Sequence, residues 1–272
     1  MFHYENLQLL VDGTAAHGVV YHDTVHFGGF QVYNATIESA QQVSNRFETE
    51  TGISGILGLA KSLPNSIVPA MPSFLESLKP LLKEPVFTVD LRKNKTGRFE
   101  FRHLNTSVIS GQITWIDSDH QSPHWDIVLD LTAWAGNDHT WWYFPFRATI
   151  DTGTTLMFIP DELASMYWFT VPGLRVDPRI SGAFTFPCSG AQDLPDLMFK
   201  LPGTEQVITI PGSYMNYGPV EGNADYCWGG MQSAKGLDVT VLGDIMLKAL
   251  FIAFDLQNNR IGFANKKLTD LN

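Results

Sequence analysis

The sequence lacks the long apolar stretches and the basic runs that would tie it to a membrane or to nucleic acid. No run approaches the ~18 consecutive apolar residues of a membrane-spanning helix, and Glu5 and Asp12 interrupt the start, where a secretory leader would be apolar. Lys and Arg number 18 against 28 Asp and Glu, a formal net charge of −10. No basic stretch is dense enough to form a phosphate-binding face. We therefore predict no membrane segment, no leader in these residues and no nucleic-acid partner.

Cysteine is scarce, since Cys188 and Cys227 are the only two. Neither belongs to a Cys-x-x-Cys pair or lies near a histidine cluster with metal-site spacing, so no zinc site is predicted. His22 and His26 are four residues apart, but in a strand-like segment their side chains would lie about 13 Å apart. We expect no metal and no cofactor. The residues alone leave two alternatives for the cysteines, a structural disulfide made in an oxidising compartment or two free thiols.

The sequence has one Asp-Thr-Gly motif and no second. Asp151 follows an apolar strand-like segment and opens the run Asp-Thr-Gly-Thr-Thr over 151–155, a pattern typical of a tight loop that presents a carboxylate. Acid chemistry on a peptide bond needs two facing carboxyls, because one deprotonates water while the other donates a proton. The most similar segment, Asp-Gly-Thr at 12–14, has the same three residue types in a different order. The sequence as written therefore holds half of the expected pair.

Three Asn-x-Ser/Thr sequons, at Asn34, Asn94 and Asn105, match the N-glycosylation pattern. A chain of this composition would show about one or two by chance. The excess favours a secreted protein.

Strand-like segments rich in Val, Ile, Phe, Tyr and Trp run through most of the chain, broken at Gly, Asn, Asp and Pro. The clearest are 19–27, 86–91, 111–116, 125–131, 184–186 and 207–210. Helical periodicity predicts short helices over 73–82, where Ser73 and Glu76 suit a capping box, and over 161–169. We predict an all-β protein with enough apolar residues, 44%, to bury a sizeable core.

One short pattern occurs twice at a wide interval. Ile-Leu-Gly at 56–58 and Val-Leu-Gly at 241–243 each place two apolar residues before a glycine. Leu-Gly is a common dipeptide, so composition alone favours coincidence. The order of the second copy relative to Asp151 favours a shared role.

Taken together, these segments resemble the pepsin-like aspartic peptidases, and the fungal secreted branch in particular. The motifs that carry the resemblance in the carboxyl-terminal half are 151–160, 186–188, 210–212, 216–219, 227–233, 241–248, 254–255 and 261–264. The resemblance implies an all-β, bilobal acid protease fold. Residues 1–118 would form an incomplete amino-terminal lobe and residues 119–272 a complete carboxyl-terminal lobe.

In that family each lobe carries an Asp-Thr-Gly loop and, later in the same lobe, an apolar-apolar-Gly segment through which the loop threads. The resemblance makes 241–243 the partner of Asp151, and 56–58 the partner of a first Asp-Thr-Gly that is not in the sequence as written. The amino-terminal lobe is therefore expected to be truncated. The same comparison implies a disulfide between Cys188 and Cys227.

Residues 9–18 resemble the family's mobile flap hairpin, and the residues that follow resemble its return strand. The flap usually reads Tyr-Gly-Asp-Gly-Ser/Thr, whereas here Leu10 replaces the aromatic residue that closes over the substrate. Asp12 and Gly13 would contact the substrate from the flap. A rival interpretation takes 12–14 as a degraded first catalytic loop, but the residues that follow favour the flap.

The resemblance implies an aspartic endopeptidase that cleaves extended polypeptides at acid pH, through a water held between Asp151 and a second aspartate. Gly153, Thr154 and Thr155 would contact the substrate, and the protein would be a secreted or vacuolar monomer. The alternative is a catalytically inactive member that keeps the fold to bind a peptide or another ligand. The leucine in the flap and the aromatic run at 141–143 favour this alternative. A complete upstream Asp-Thr-Gly would favour the peptidase.

Overall fold

A computed structural model of the chain describes residues 5–9, 15–49, 52–61, 71–134, 140–178 and 182–268. The chain divides into two compact units. The first comprises the residues up to Pro85 together with His120–His124, and the second comprises Val86–Asp119 and the residues from Trp125 onward. The lobe boundary after residue 118 stays a prediction.

Three antiparallel strands form one sheet in the described part of the first unit. They are β1 (Glu5–Leu9), β2 (Ala15–Phe27) and β3 (Phe30–Val43). Leu9 lies opposite Ala15, so β1 and β2 flank the predicted flap tip at 10–14, which is outside the described residues. β2 and β3 form a long hairpin through Gly28 and Gly29, whose φ angles of 51° and 83° suit glycine because it has no Cβ.

Two short helices follow the hairpin, α1 (Asn45–Thr49) and α2 (Phe74–Leu78). The hydroxyl of Ser73 accepts a hydrogen bond from the N–H of Glu76 at 3.3 Å, so the predicted N-terminal cap is confirmed. The predicted length, 73–82, is wrong, because α2 gives way to a 3-10 turn over Lys79–Leu81. Pro80 has no N–H for the α-helical hydrogen bond, which favours ending the α-helix here.

The other strands among the described residues, and two further α-helices, belong to the second unit. Its strands are β4 (Val86–Asp90), β5 (Arg98–Phe101), β6 (Ile109–Asp117), β7 (Asp126–Trp134), β8 (Trp142–Ile150), β9 (Met157–Ile159), β10 (Arg175–Asp177), β11 (Ala183–Pro187), β12 (Leu197–Lys200), β13 (Val207–Ile210), β14 (Asn216–Val220), β15 (Asn223–Gly229), β16 (Met231–Ser233), β17 (Val241–Leu242), β18 (Leu250–Asp255) and β19 (Arg260–Lys266). The helices are α3 (Asp161–Trp168) and α4 (Asp244–Leu247).

These strands form three sheets. A five-stranded antiparallel sheet has the order β5-β4-β18-β19-β6, and a four-stranded sheet has the order β10-β11-β15-β14. The seven-stranded sheet, β13-β12-β7-β8-β17-β9-β16, is mixed, because β17 runs parallel to β8 and antiparallel to β9. The short strand β17 is therefore held on both sides.

Aromatic side chains fill the core of the second unit. Phe87 stacks on Phe254 with the ring centroids 4.4 Å apart. Trp168, the last residue of α3, is fully buried, stacks on Phe186 at 5.7 Å and donates its indole N–H to the carbonyl of Met231 at 2.7 Å. A buried indole N–H needs such a partner, so this bond fixes the end of α3 against the sheets.

Cys188 and Cys227 form a disulfide that spans 39 residues of sequence. Phe186 in β11 lies directly opposite Cys227 in β15, so the bond crosslinks neighbouring strands just beyond the end of β11. The disulfide implied by the resemblance is thus present, and the alternative of two free thiols is wrong.

Strands dominate both units, and the all-β prediction is confirmed. The strand predicted over 207–210 is β13, and the helix predicted over 161–169 is α3, one residue shorter. Within the described ranges, no helix has the length and apolar character needed to cross a membrane.

Candidate active site

Asp151 opens the loop that connects β8 to β9. Ile150, the last residue of β8, pairs with Leu242 of β17, and the N–H of Asp151 donates to the Leu242 carbonyl at 3.2 Å. Leu242 also pairs with Met157 at the start of β9. One two-residue strand therefore fixes both ends of the loop that carries the carboxylate.

Both carboxylate oxygens of Asp151 accept hydrogen bonds from their own loop. The N–H of Gly153 donates to Oδ1 at 2.8 Å, and the hydroxyl of Thr154 donates to Oδ2 at 2.6 Å. A Cβ at residue 153 would lie only 3.2 Å from Oδ1, so glycine lets the backbone approach the acid closely. These charge-assisted bonds fix the orientation of the carboxylate.

The segment Val-Leu-Gly at 241–243 packs directly on this loop. A Cβ on Gly243 would lie 2.1 Å from the carbonyl oxygen of Thr154 and 2.5 Å from that of Leu156, so only glycine fits. The N–H of Asp244 then donates to the Thr154 carbonyl at 2.8 Å. The expected pairing of 241–243 with the Asp151 loop is observed.

The matching Ile-Leu-Gly segment of the first unit has a different environment. Ile56 and Leu57 are 70% and 46% exposed, whereas Val241 and Leu242 are 3% and 0% exposed. A Cβ on Gly58 would meet no atom within 4 Å. Apolar side chains at these positions are buried in one unit and exposed in the other, so the described residues do not bury the 56–58 segment as they bury its counterpart.

Asp244 is an acidic residue beside the Asp151 loop that sequence reasoning did not single out. Its Oδ2 lies 3.3 Å from Nζ of Lys248, and its buried Oδ1 accepts no hydrogen bond from the described residues. Burial raises the pKa of the Asp244 carboxyl, the Lys248 ammonium opposes that rise, and the charge of Asp151 adds to it. In the sequence, the feature that indicates Asp244 is its position directly after the apolar-apolar-Gly motif at 241–243.

Replacing Asp244 with Asn is expected to change how stability depends on pH. Because the folded pKa is raised, the folded state binds this proton more tightly, and the protein loses stability as pH rises from the unfolded pKa, about 3.9, through the folded pKa. The variant lacks this loss, so its Tm relative to the wild type should increase across that window. Thermal unfolding at several pH values measures the difference.

Asp238→Asn is the matched control, because Asp238 is an exposed aspartate in the same unit. If the Tm difference between D244N and the wild type is the same at every pH, the proposed titration of Asp244 is wrong.

The other predicted site residues are dispersed along the chain. Asp12 and Gly13 lie outside the described residues. Of the sequon asparagines, Asn34 and Asn94 are exposed and Asn105 is half-buried. In the part of the chain that the structure describes, no three His, Cys, Asp or Glu residues are grouped so that they could hold a metal ion.

The sequence of residues 7–266 matches the family model of the eukaryotic aspartyl proteases. The matched residues include the Asp151 loop and the 241–243 segment that packs on it. The chain belongs to the eukaryotic aspartyl protease family. Its Asp-Thr-Gly loop, the β17 segment and the disulfide all fall within the matched part of this aspartyl protease chain.

Several fungal aspartyl proteases are similar over most of the chain. Endothiapepsin of Cryphonectria parasitica is 35% identical over 94% of this chain, which covers 60% of endothiapepsin. Penicillopepsin-1 of Penicillium janthinellum is 34% identical over 93% of the chain, with 76% of its own length covered. Aspergillopepsin-1 of Emericella nidulans is 34% identical over 93% of the chain, with 62% covered. The aspartyl protease chain thus spans about three fifths of two of these relatives.

Proposed function

We propose that this chain is part of an acid endopeptidase in which Asp151 and a second aspartate, outside the sequence given, hold and activate a water. The observation that carries the proposal is the fixed carboxylate of Asp151, which its own loop orients through Gly153 and Thr154. A carboxylate held in one orientation suits a group that must meet a water and a substrate in a defined geometry.

The second carboxyl is required by the chemistry. An ionised carboxylate takes a proton from the water as the water attacks the peptide carbonyl, while a protonated carboxyl donates its proton to the carbonyl oxygen. As the C–N bond breaks, the first carboxyl passes its proton to the leaving amine and the second recovers a proton from the diol, so that both return to their starting states. One group cannot hold both protonation states at once. Ile56 and Leu57 are exposed, which supports a further segment of the first unit that would pack on them. The chain covers 60% of endothiapepsin, so that relative has residues with no counterpart in the sequence given.

The loop offers further positions for an extended peptide. Gly153 and Thr155 are exposed, whereas Thr154 is half-buried and holds Asp151. We assign substrate contacts to the backbone of Gly153 and to Thr155, with Asp12 and Gly13 as contacts from the flap. The polypeptide substrate is proposed to lie extended along these residues.

The experiment compares the 272-residue chain with the protein as its source organism produces it, here called the source protein. Each is incubated with a denatured protein at acid pH. The source protein should cleave, and the 272-residue chain should be slower by at least about 10²- to 10⁴-fold because it lacks the acid–base partner. Equal cleavage by both, abolished by Asp151→Asn in both, would place the second carboxyl within these residues and contradict the proposal.

A second candidate is a binding protein that keeps the fold without the chemistry. Trp142 and Tyr143 favour it, because they are 39% and 73% exposed and exposed aromatic side chains suit ligand contact. Trp142 stacks on the buried Trp134 at 6.1 Å, so its ring is held in place. Peptide binding without cleavage by the source protein would select this candidate.

Secretion and glycosylation are part of the same proposal. A disulfide forms in an oxidising compartment, and the exposed Asn34 and Asn94 are open to a glycan. Asn105 is half-buried, and its Oδ1 accepts hydrogen bonds from the N–H and the hydroxyl of Ser107. We propose a secreted or vacuolar monomer.

A further inference from the structure

Arg147 on β8 lies beside two aspartates, four residues before Asp151. Its Nη1 donates to Oδ2 of Asp119 and lies 3.6 Å from Oδ2 of Asp126. The side chain of Arg147 is 57% exposed, whereas that of Asp126 is only 11% exposed. An exposed ion pair contributes little to stability, but a buried carboxylate that loses a cation costs free energy. The Arg147 guanidinium therefore helps to hold the buried Asp126 carboxylate in place.

The other oxygen of Asp126 connects this ion pair to the end of β8. Oδ1 of Asp126 accepts a hydrogen bond from the hydroxyl of Thr149 at 2.6 Å, and Thr149 lies directly opposite Asp126 in the pairing of β7 with β8. The next residue, Ile150, donates its N–H to the carbonyl of Trp125 at 3.0 Å. These bonds hold the last two residues of β8 against the start of β7.

Strand β17 holds the same end of β8 from the other side. The N–H of Thr149 donates to the carbonyl of Thr240 at 2.9 Å, and the N–H of Asp151 donates to the carbonyl of Leu242 at 3.2 Å. The contacts with β17 are backbone bonds, and the contact with β7 adds the side chain of Asp126. Asp151 follows this strand end directly, so the position of its carboxylate depends on how the strand end is held.

The same cluster closes a short excursion of the chain. Asp119 and Trp125 belong to the second unit, whereas His120–His124 belong to the first. The N–H of Asp119 donates to the carbonyl of Asp126 at 2.9 Å, where the chain leaves and re-enters the second unit. Arg147 adds a side-chain bridge between the same two aspartates. Backbone and side-chain bonds thus fix the two carboxylates relative to each other.

We propose that Arg147 is a positioning residue of the candidate active site, which acts on Asp151 through Asp126 and Thr149. The proposal rests on the proposed peptidase function, because the geometry that it concerns is that of the Asp151 carboxylate. Displacing a catalytic group by about 1 Å can lower a rate by about 10²-fold. A side chain that contacts no substrate can therefore control kcat.

The test measures kcat and KM of the source protein and its variants on a denatured protein at acid pH. Arg147→Gln removes the guanidinium charge, and Thr149→Val removes the hydroxyl with little change of shape. We expect each variant to lower kcat by about tenfold or more and to leave KM within about twofold. The double variant R147Q/T149V should be about as slow as the slower single variant, because both changes act through Asp126. Thr149→Ser, which keeps the hydroxyl, should restore most of the rate.

Arg98→Gln is the matched control. Arg98 lies in the same unit, is 65% exposed and pairs with the carboxylate of Glu100 at 3.2 Å, so it resembles Arg147 in exposure and in its ion pair. This variant should leave kcat within about twofold. An equal loss of kcat in R98Q and R147Q, a change confined to KM, or losses that multiply in R147Q/T149V would overturn the proposal.

Amide hydrogen exchange separates failure of this proposal from failure of the proposed function. The N–H of Ile150, which donates to Trp125, should exchange at least about tenfold faster in R147Q than in R98Q, while the buried amides of β18 keep their rates. Faster exchange at Ile150 without any cleavage by the source protein would support the positioning by Arg147 and reject the peptidase function. Unchanged exchange at Ile150, or an equal increase in β18 that reports lost global stability, would overturn the proposal.

Discussion

Replacing Asp151 with Asn is expected to lower kcat/KM of the source protein on a denatured substrate by a factor of about 10² to 10⁴ or more. Asparagine has nearly the same shape, and its amide keeps an acceptor for the Gly153 N–H and a donor that faces Thr154. The fold should therefore survive while the ionisable group is lost. Initial rates at acid pH, together with the Tm of each protein, measure the two effects separately.

Two further variants sharpen this result. Asp225→Asn changes an exposed aspartate in the same unit and should leave kcat/KM within about twofold. Thr154→Val removes the hydroxyl that donates to Asp151 and should lower kcat/KM by about tenfold or more, since a hydrogen bond to a charged group contributes about 1.5–3 kcal/mol. Thr154→Ser, which keeps the hydroxyl, should restore most of the rate. Nearly wild-type cleavage by D151N would refute the assignment of Asp151 as a catalytic residue.

Loss of the disulfide between Cys188 and Cys227 should destabilise the second unit by about 4 kcal/mol. The bond spans 39 residues of sequence, and closing a loop of about 40 residues removes that much conformational free energy from the unfolded chain. At about 2–4 °C per kcal/mol for a unit of this size, the Tm should fall by about 10 °C. Thermal unfolding of the wild type and of C188A/C227A at the same pH measures the change.

Reduction supplies the internal control for this experiment. A thiol reductant should lower the Tm of the wild type toward that of C188A/C227A and should not change the Tm of the double variant. A fall of less than about 3 °C in both comparisons would mean that the loop contributes little to the free energy of unfolding.

Local sequence signals predicted the positions of several elements correctly. The capping pair Ser73 and Glu76 places the start of α2, because the cap depends on residues three apart. Periodicity places the end of α2 too late, because the apolar pattern continues past Pro80 whereas the α-helical hydrogen bonds end before it. Periodicity reports which face a segment would bury, and it does not report whether each N–H finds an acceptor.

The candidate site was predictable in part. Asp151, Gly153 and Thr154 lie within one short motif, and the structure shows both carboxylate oxygens of Asp151 accepting bonds from that motif. Asp244 was not predicted, because its relation to Asp151 depends on the packing of 241–243 against the loop. That packing joins segments about ninety residues apart in the sequence.

The sequence by itself determined the all-β class and the single Asp-Thr-Gly loop, because alternating apolar residues and a short motif are local properties of the chain. Only the tertiary structure decided which charges meet. Lys266 donates to the carbonyl of Leu91 across 175 residues, a contact set by the pairing of β18 with both β4 and β19. Strand pairing likewise brings Lys248 close to the basic residues of 92–95 and of 266–267, which lie far apart in the sequence. Charge density on a surface follows strand order and register, which a count of residues along the chain does not contain.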